Sequence, residues 1–161
     1  MAGARARSKA IGGLTGDGET DPEASGRGSE VSAVVDGSVL VAATTDAGPD
    51  GTWAERVLSE GGIVAPHLVL VEATNILRRL ESAGQLSRLE ATAAQRDVVG
   101  VEILLVPFEP FADRVWELRR NVTSYDAWYV AVAEDFALPL ATLDRRLSRV
   151  SGPSCRSLVP R

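Results

Sequence analysis

Short apolar segments alternate with longer amphipathic ones along the chain from residue 31 onward. The segment VSAVVD at 31–36 is rich in β-branched residues and is closed by Asp-Gly, which predicts a buried strand. Similar apolar stretches at 63–65, 103–106 and 138–143 predict three further strands. Strands that are apolar throughout are typical of a parallel sheet that is covered on both faces.

Segments with apolar residues at helical spacing separate these strands. Pro66 is placed to open one helix, and Ser87 and Glu90 have the spacing of a capping box at the start of another. The predicted helices cover about 38–44, a segment after the GPDG turn at 48–51, 66–83, 87–100, the region of 111–118, 123–136 and a short segment from 144. This alternation predicts an α/β fold, a three-layer α/β/α sandwich with a central, mainly parallel sheet of four or five strands.

Length and composition are those of one globular domain. The chain has 161 residues, of which 45% are hydrophobic and 24% are charged. It contains no apolar run of membrane-spanning length and no secretory signal, so we expect a cytoplasmic protein without membrane contact. A single cysteine, Cys155, and a single histidine, His67, exclude a disulfide framework and a zinc-binding set. The net charge of −5 means that a nucleic-acid partner would need local basic patches.

The two ends of the chain are interpreted separately. Residues 1–30 are rich in glycine and lack apolar periodicity, which predicts a flexible leader. Acids at positions 17, 19, 21 and 23 have the spacing of a calcium loop, but Pro22 stands where that loop needs glycine. The last residues, LVPR, resemble what remains after a tag is cleaved, so 156–161 are either such a remnant or part of a final strand.

Three acids lie where the chain is predicted to enter a helix. Asp36 and Asp144 each follow a predicted strand, where aspartate is a common N-cap. Asp126 comes three residues after Thr123, the position at which a capping box prefers an acid. Each of these residues therefore has a purely structural interpretation.

A fourth acid, Glu72, lies on the same predicted helical face as the apolar residues Leu68 and Ile76. A carboxylate on a buried face is destabilising unless a positive group meets it. Arg79 is two turns away, and no basic residue precedes Glu72 within a turn. A metal ion is therefore the simplest partner for Glu72.

The predicted topology can bring the four acids together. In open parallel sheets, ligands bind beyond the carboxyl ends of the strands, near the point where the strand order reverses. Neighbouring carboxylates at such an edge repel one another unless a cation neutralises them. Ligation by oxygen alone favours Mg²⁺ or Mn²⁺, and such ions promote hydrolysis of phosphodiesters.

Three stretches carry a resemblance to a known family: VVDGSVLVAA, APHLVLVEATNILRRL and TSYDAWYVAVAEDFALPLATLDRRL. Over about 34–150 the chain resembles the PIN domain, and in particular the VapC toxins of bacterial toxin–antitoxin pairs. The resemblance implies a PIN domain over 31–155. It also implies Mg²⁺- or Mn²⁺-dependent cleavage of RNA within the strand, often of tRNA or rRNA, inhibition by a VapB-type antitoxin, and a homodimer.

The resemblance also implies roles for particular residues. The acids that match the metal-binding, catalytic positions are Asp36, Glu72, Asp126 and Asp144. Small hydroxyl residues that accompany them in a supporting role match Ser38 and Thr142. Glu72 would either bind metal or orient the attacking water, whereas the three aspartates would be direct ligands. Gly37 departs from the family, which more often has Thr or Ser after the first acid.

Seven arginines are candidates for contacts with RNA phosphates, although a solvated helix surface explains them equally well. They are Arg78, Arg79, Arg119, Arg120, Arg145, Arg146 and Arg149. The three tryptophans, Trp53, Trp116 and Trp128, recur at apolar positions, so we expect them to pack in the core or at a dimer interface rather than stack on bases.

Alternatives from other functional classes stay open. A PIN-like binding module would grip the antitoxin or RNA without cutting it, and a related nuclease would cut DNA. A receiver-like signalling domain also binds Mg²⁺ in an acidic pocket. It usually needs a second acid beside the first and a lysine on a late strand, whereas Gly37 follows Asp36 and the only lysine is Lys9.

Overall fold

A computed structural model describes residues 31–161 of the chain. The predicted leader over 1–30, with its alternating acids, lies outside the described residues. The strands are β1 (Val31–Val35), β2 (Gly62–Pro66), β3 (Ile103–Val106), β4 (Leu140–Ala141) and β5 (Ser157–Leu158). They form one sheet in the order β3-β2-β1-β4-β5, and every neighbouring pair is parallel. The predicted parallel sheet is therefore confirmed.

Six α-helices within residues 31–161 cover the sheet. They are α1 (Gly37–Thr45), α2 (Pro49–Ser59), α3 (Leu68–Ser82), α4 (Arg88–Gly100), α5 (Ala112–Glu117) and α6 (Ser124–Asp135). Helices α1 to α4 pack together as one group, while α5 packs on α6, which also contacts β1 and β2. The three-layer α/β/α arrangement predicted from the sequence is confirmed. Within residues 31–161, the helices are too short or too polar to cross a bilayer.

The strand order reverses next to β1. On one side of β1 lie β2 and then β3, and on the other side lie β4 and then β5. Val35 at the end of β1 pairs with Ala141 at the end of β4, and the Asp36 amide donates to the carbonyl of Ala141 at 3.3 Å. The carboxyl ends of β1 and β4 therefore flank the crevice where ligands of such sheets bind.

The starts of two predicted helices are wrong. Pro66 does not open a helix but ends β2, where it pairs with Val106. Proline has no amide hydrogen, and the next hydrogen bond comes from the His67 amide to the Val106 carbonyl at 3.0 Å. The helix predicted from Asp144 is also wrong, because the Asp144 carboxylate accepts from the Arg146 amide at 2.8 Å and closes a turn. Only a short 3₁₀ helix follows, at Leu147–Arg149.

Helix α6 is followed, after its C-cap Phe136, by a residue whose conformation suits glycine better. Ala137 has φ 53°, the Leu138 amide donates to the Ala133 carbonyl, and the Ala137 amide donates to the Glu134 carbonyl. These two hydrogen bonds define a Schellman motif, in which this position is usually glycine.

Ala137→Gly is therefore expected to raise the free energy of unfolding by about 0.5–1 kcal/mol, because the side chain that opposes the left-handed conformation is removed. Chemical denaturation measures the change. Gly84→Ala is the matched reverse change, since Gly84 has φ 70° and open space around it, and it should destabilise. A less stable Ala137→Gly protein would contradict the prediction.

Candidate active site

Asp36 is a nearly buried carboxylate at the carboxyl end of β1. It caps α1, because its Oδ1 accepts from the amides of Ser38 at 3.0 Å and Val39 at 3.2 Å. The Ser38 hydroxyl donates to the same oxygen at 2.5 Å. Burial raises the pKa of Asp36 above its usual value, although these donors and the Thr142 hydroxyl oppose the rise. The structural interpretation as an N-cap is correct, but it does not explain why a carboxylate is buried there.

Ser38 and Thr142 connect Asp36 with the loop that follows β4. The Ser38 hydroxyl accepts from the Leu143 amide at 3.0 Å while it donates to Asp36. The buried Thr142 hydroxyl accepts from the Asp144 amide at 2.9 Å. The two hydroxyls therefore fix the position of the Asp144 backbone relative to Asp36.

Glu72 projects from the first turns of α3 toward the same edge of the sheet. Its Oε2 accepts a hydrogen bond from the hydroxyl of Tyr129, a residue of α6 that is only 1% exposed. Burial, together with the charges of Asp36 and Asp126, raises the pKa of Glu72, while the Tyr129 hydroxyl and the Gly37 amide lower it. The influence of both aspartates places Glu72 in the same electrostatic environment as these two acids.

Gly37 leaves the space that Glu72 fills. A Cβ atom at Gly37 would lie 2.9 Å from the Glu72 Cγ and 3.0 Å from the amide nitrogen of Ala73. Both distances are too short for ordinary packing, so α1 and α3 approach this closely only because residue 37 has no side chain. The departure from the family pattern at Gly37 therefore has a local structural reason.

Asp126 and Asp144 lie on the more exposed side of the site. Asp126 is in the first turn of α6, where its Oδ2 accepts from the hydroxyl of the N-cap Thr123 at 2.8 Å. Asp144 forms a salt bridge with Arg146 at 3.2 Å, and this interaction chiefly lowers the pKa of Asp144. The Asp144 side chain is 39% exposed and that of Arg146 is 92% exposed, so the pair contributes little to stability.

A cleft of about 530 Å³ opens beside these two acids. Three of the predicted RNA-contacting arginines, Arg119, Arg120 and Arg146, line it together with Asp126 and Asp144. The other four do not line this cleft. Arg78 lines shallow depressions beside α3 and donates a hydrogen bond to Asn75. The remaining three are exposed, namely Arg79, Arg145 and Arg149. The structure thus divides the seven arginines into three that line the cleft beside these acids and four with no contact that favours this role.

The chemistry of these donors fits a hard divalent cation in part. The site offers carboxylate and hydroxyl oxygens without thiolate or imidazole, as Mg²⁺ and Mn²⁺ prefer. The raised pKa values of Asp36 and Glu72 are those of buried acids without a cationic partner. In the part of the chain that the structure describes, however, no three acidic, histidine or cysteine side chains lie close enough to hold one ion. The acids share one edge, but Asp144 is turned toward Arg146 rather than toward Asp36.

Two aromatic side chains add to the sequence-based interpretation. Trp116 is 67% exposed, so it does not pack in the core and its place at a dimer interface stays a prediction, whereas Trp53 and Trp128 are partly buried against the core as predicted. Tyr129 was not predicted as a site residue from the sequence, although it lies three residues after Asp126 on the same face of α6. That spacing was the available signal, since residues three apart on a helix are neighbours.

Removal of the Tyr129 hydroxyl is expected to weaken the site. Tyr129→Phe would leave the half-buried Glu72 carboxylate without its donor, so we expect about a tenfold loss of activity, the usual effect of removing such a supporting hydrogen bond. Cleavage kinetics measure it, with Tyr125→Phe as the control, because Tyr125 precedes it by one helical turn and is 68% exposed. Equal activity of both variants would contradict a role for the hydroxyl.

Comparison with known proteins places this arrangement in a family. Residues 33–153 match the family model of the PIN domain. A VapC ribonuclease of Mycobacterium bovis is 33% identical over 129 residues, which cover 80% of this chain and 98% of the relative. Ribonuclease VapC1 of Mycobacterium tuberculosis is 35% identical over 123 residues, or 76% of this chain and 92% of the relative. The chain therefore belongs to the PIN-domain family and, within it, to the VapC ribonucleases.

A solved structure agrees with this assignment at the level of the fold. The crystal structure of Mycobacterium tuberculosis VapC20, described as a toxin that cleaves the sarcin–ricin loop, superposes with a TM-score of 0.59. The match covers 80% of this chain and 100% of the other, at 18% sequence identity. At that identity the likeness concerns the three-layer architecture alone.

Proposed function

We propose that the protein is a Mg²⁺- or Mn²⁺-dependent endoribonuclease, the toxin of a type II toxin–antitoxin pair, inhibited by a VapB-type antitoxin. The observation that carries the proposal is that the charges of buried Asp36 and of Asp126 act on half-buried Glu72 near the reversal point of the sheet, beside a cleft lined by three arginines. Such a crevice is where an α/β sheet binds its ligand. Membership of the VapC ribonucleases supports the choice of RNA as substrate.

The four acids would have different roles in metal binding and catalysis. Asp36, Asp126 and Asp144 are assigned to the metal, and its binding requires Asp144 to turn away from Arg146. When bound, the ion would lower the pKa of a water and stabilise charge on a phosphate oxygen. Glu72 either joins the ligands or accepts the proton of the attacking water. Tyr129 would hold Glu72 in place for either role.

Substrate binding is assigned to the cleft. Arg119, Arg120 and Arg146 line it and can pair with backbone phosphates on either side of the bond that is cut. Arg146 would exchange the Asp144 carboxylate for a phosphate oxygen as RNA enters, which keeps its charge paired. We propose tRNA or rRNA as the natural target and a homodimer as the working assembly, as the family suggests.

Cleavage of bacterial total RNA by the purified protein tests the proposal. We expect fragments in Mg²⁺ or Mn²⁺, none in excess EDTA, and no comparable cleavage of single-stranded DNA of the same sequence, which lacks the 2′-hydroxyl. Unchanged cleavage in EDTA would overturn the metal requirement. RNA binding without cleavage, with all four acids intact, would favour the non-catalytic binding module instead.

The antitoxin is tested separately from catalysis. Co-expression with a VapB-type antitoxin is expected to give a complex that purifies together and cleaves RNA more slowly than the toxin alone. Full cleavage activity in the complex would contradict inhibition at this site.

A further inference from the structure

Trp116 is a large aromatic side chain that does not pack in the core. It lies near the end of α5 and is 67% exposed. Leaving so large an apolar surface in water is unfavourable, so an exposed tryptophan beside a functional cleft is a common sign of a binding site.

Arg119 joins Trp116 to the cleft. The Arg119 guanidinium carbon lies 4.6 Å from the centre of the Trp116 ring, a cation–π distance. The Nη1 of Arg119 donates to the Trp116 carbonyl at 2.6 Å, which holds the side chain over its own helical turn. Arg119 also lines the cleft that contains Asp126 and Asp144. Arg119 therefore contacts the indole ring and also borders the cleft that contains the two acids.

The surroundings of Trp116 are charged rather than apolar. Its neighbours in the chain include Asp113, Arg114, Glu117, Arg119 and Arg120, and all but the partly buried Arg114 are exposed. The cores of protein–protein interfaces are depleted of charged residues, so this region does not resemble a self-association face. Arginine beside an exposed aromatic ring is instead the combination with which proteins bind unpaired nucleotides.

We propose that Trp116 and Arg119 form a stacking platform for an unpaired RNA base next to the phosphate that is cleaved. The inference rests on the proposed ribonuclease function and adds to it a preference for single-stranded RNA. The base stacks on the indole ring, and Arg119 contacts the ring and the adjoining phosphate. The platform selects for an unpaired strand, because a base inside a duplex has no free face to offer.

RNA binding without turnover tests the platform. In an Asp36→Asn background, which keeps RNA intact, binding of a short fluorescent single-stranded RNA is measured by anisotropy at fixed ionic strength. Trp116→Leu should weaken binding roughly 5- to 100-fold, the usual effect of losing one stacked base. Trp116→Phe should bind nearly as tightly as the parent, because a phenyl ring preserves the stacking face. Leu89→Ala, at an 80% exposed position on α4, is the control and should change nothing.

Several results would overturn the inference. One is unchanged RNA affinity of Trp116→Leu, and another is an equal loss of affinity in Trp116→Leu and Trp116→Phe. A third is that Trp116→Leu loses as much affinity for a duplex of the same sequence as for the single strand. A change in oligomeric state of Trp116→Leu in light scattering, with RNA affinity unchanged, would show that a second copy covers this face instead. Thermal unfolding confirms that the variants are folded, as expected for an exposed position.

Turnover by the otherwise unmodified protein separates this inference from the proposed function. If the unmodified protein cleaves RNA, Trp116→Leu should raise KM and leave kcat close to unchanged, because the ring contacts the substrate away from the reacting atoms. Cleavage with unchanged KM would overturn the platform and leave the ribonuclease function intact. Absence of any RNA binding or cleavage by the unmodified protein would overturn the proposed function, and the platform with it.

Discussion

Asp36→Asn is expected to reduce RNA cleavage on the order of 1000-fold while the protein stays folded. The loss follows from removing a buried negative charge at the reacting centre, where single electrostatic groups commonly contribute factors of this size. The fold should persist because asparagine caps a helix about as well as aspartate, and the amides of Ser38 and Val39 still find an oxygen. The variant therefore separates the proposed catalytic role of Asp36 from its role as an N-cap.

Cleavage rates and thermal unfolding together measure this outcome. Asp46→Asn is the matched control, because Asp46 lies at the other end of α1 and the change removes the same charge outside the site. The control should cleave RNA at the original rate. If Asp36→Asn cleaved RNA as fast as the unmodified protein, the carboxylate would have only its capping role.

Gly37→Ala is expected to damage the site by adding a single methyl group. The new Cβ would lie 2.9 Å from the Glu72 Cγ and 3.0 Å from the Ala73 amide nitrogen, and the second atom belongs to the backbone of α3. Overpacking of this kind costs about 1–3 kcal/mol of stability. We also expect a loss of about 10- to 100-fold in activity, because Glu72 must shift to make room and the shift disturbs its hydrogen bond with Tyr129.

Denaturation and cleavage kinetics of the same preparation measure both effects. Gly100→Ala is the control, since a Cβ atom there meets nothing within 4 Å. It should leave stability and activity close to those of the parent protein. An active and fully stable Gly37→Ala protein would show that α1 and α3 can separate without disturbing Glu72.

Much of the fold could be predicted because its signals are local. The β-branched run before Asp36 specifies β1, and Ser87 and Glu90 do form the predicted capping box of α4. The alternation of strands and helices then leaves few arrangements other than a parallel sheet. Pro66 was misplaced because a proline that begins a helix and one that ends a strand meet the same local requirement, the absence of an amide donor.

The details of the site depend on contacts between distant segments. Tyr129 and Glu72 are 57 positions apart. The helical spacing of Tyr129 and Asp126 places Tyr129 near the site but does not show that it bonds Glu72. The sequence pointed to a metal as the partner of Glu72, whereas the structure adds a buried hydroxyl that already satisfies one of its oxygens. Asp144 was predicted to cap a helix, but its neighbour Arg146 competes for the carboxylate and closes a turn instead. Trp116 lies at an apolar position of the helical pattern but is exposed. Apolar periodicity predicts which face of a helix is apolar, but it does not predict whether another element packs on that face.

Calorimetric titration with Mn²⁺ tests the central claim most directly, because it requires neither a known RNA target nor turnover. The account predicts saturable uptake by the unmodified protein, at least a tenfold weaker uptake by Asp36→Asn, and unchanged uptake by the Asp46→Asn control. No uptake by the unmodified protein, or equal uptake by all three proteins, would contradict a metal site built from the acids at the reversal point of the sheet.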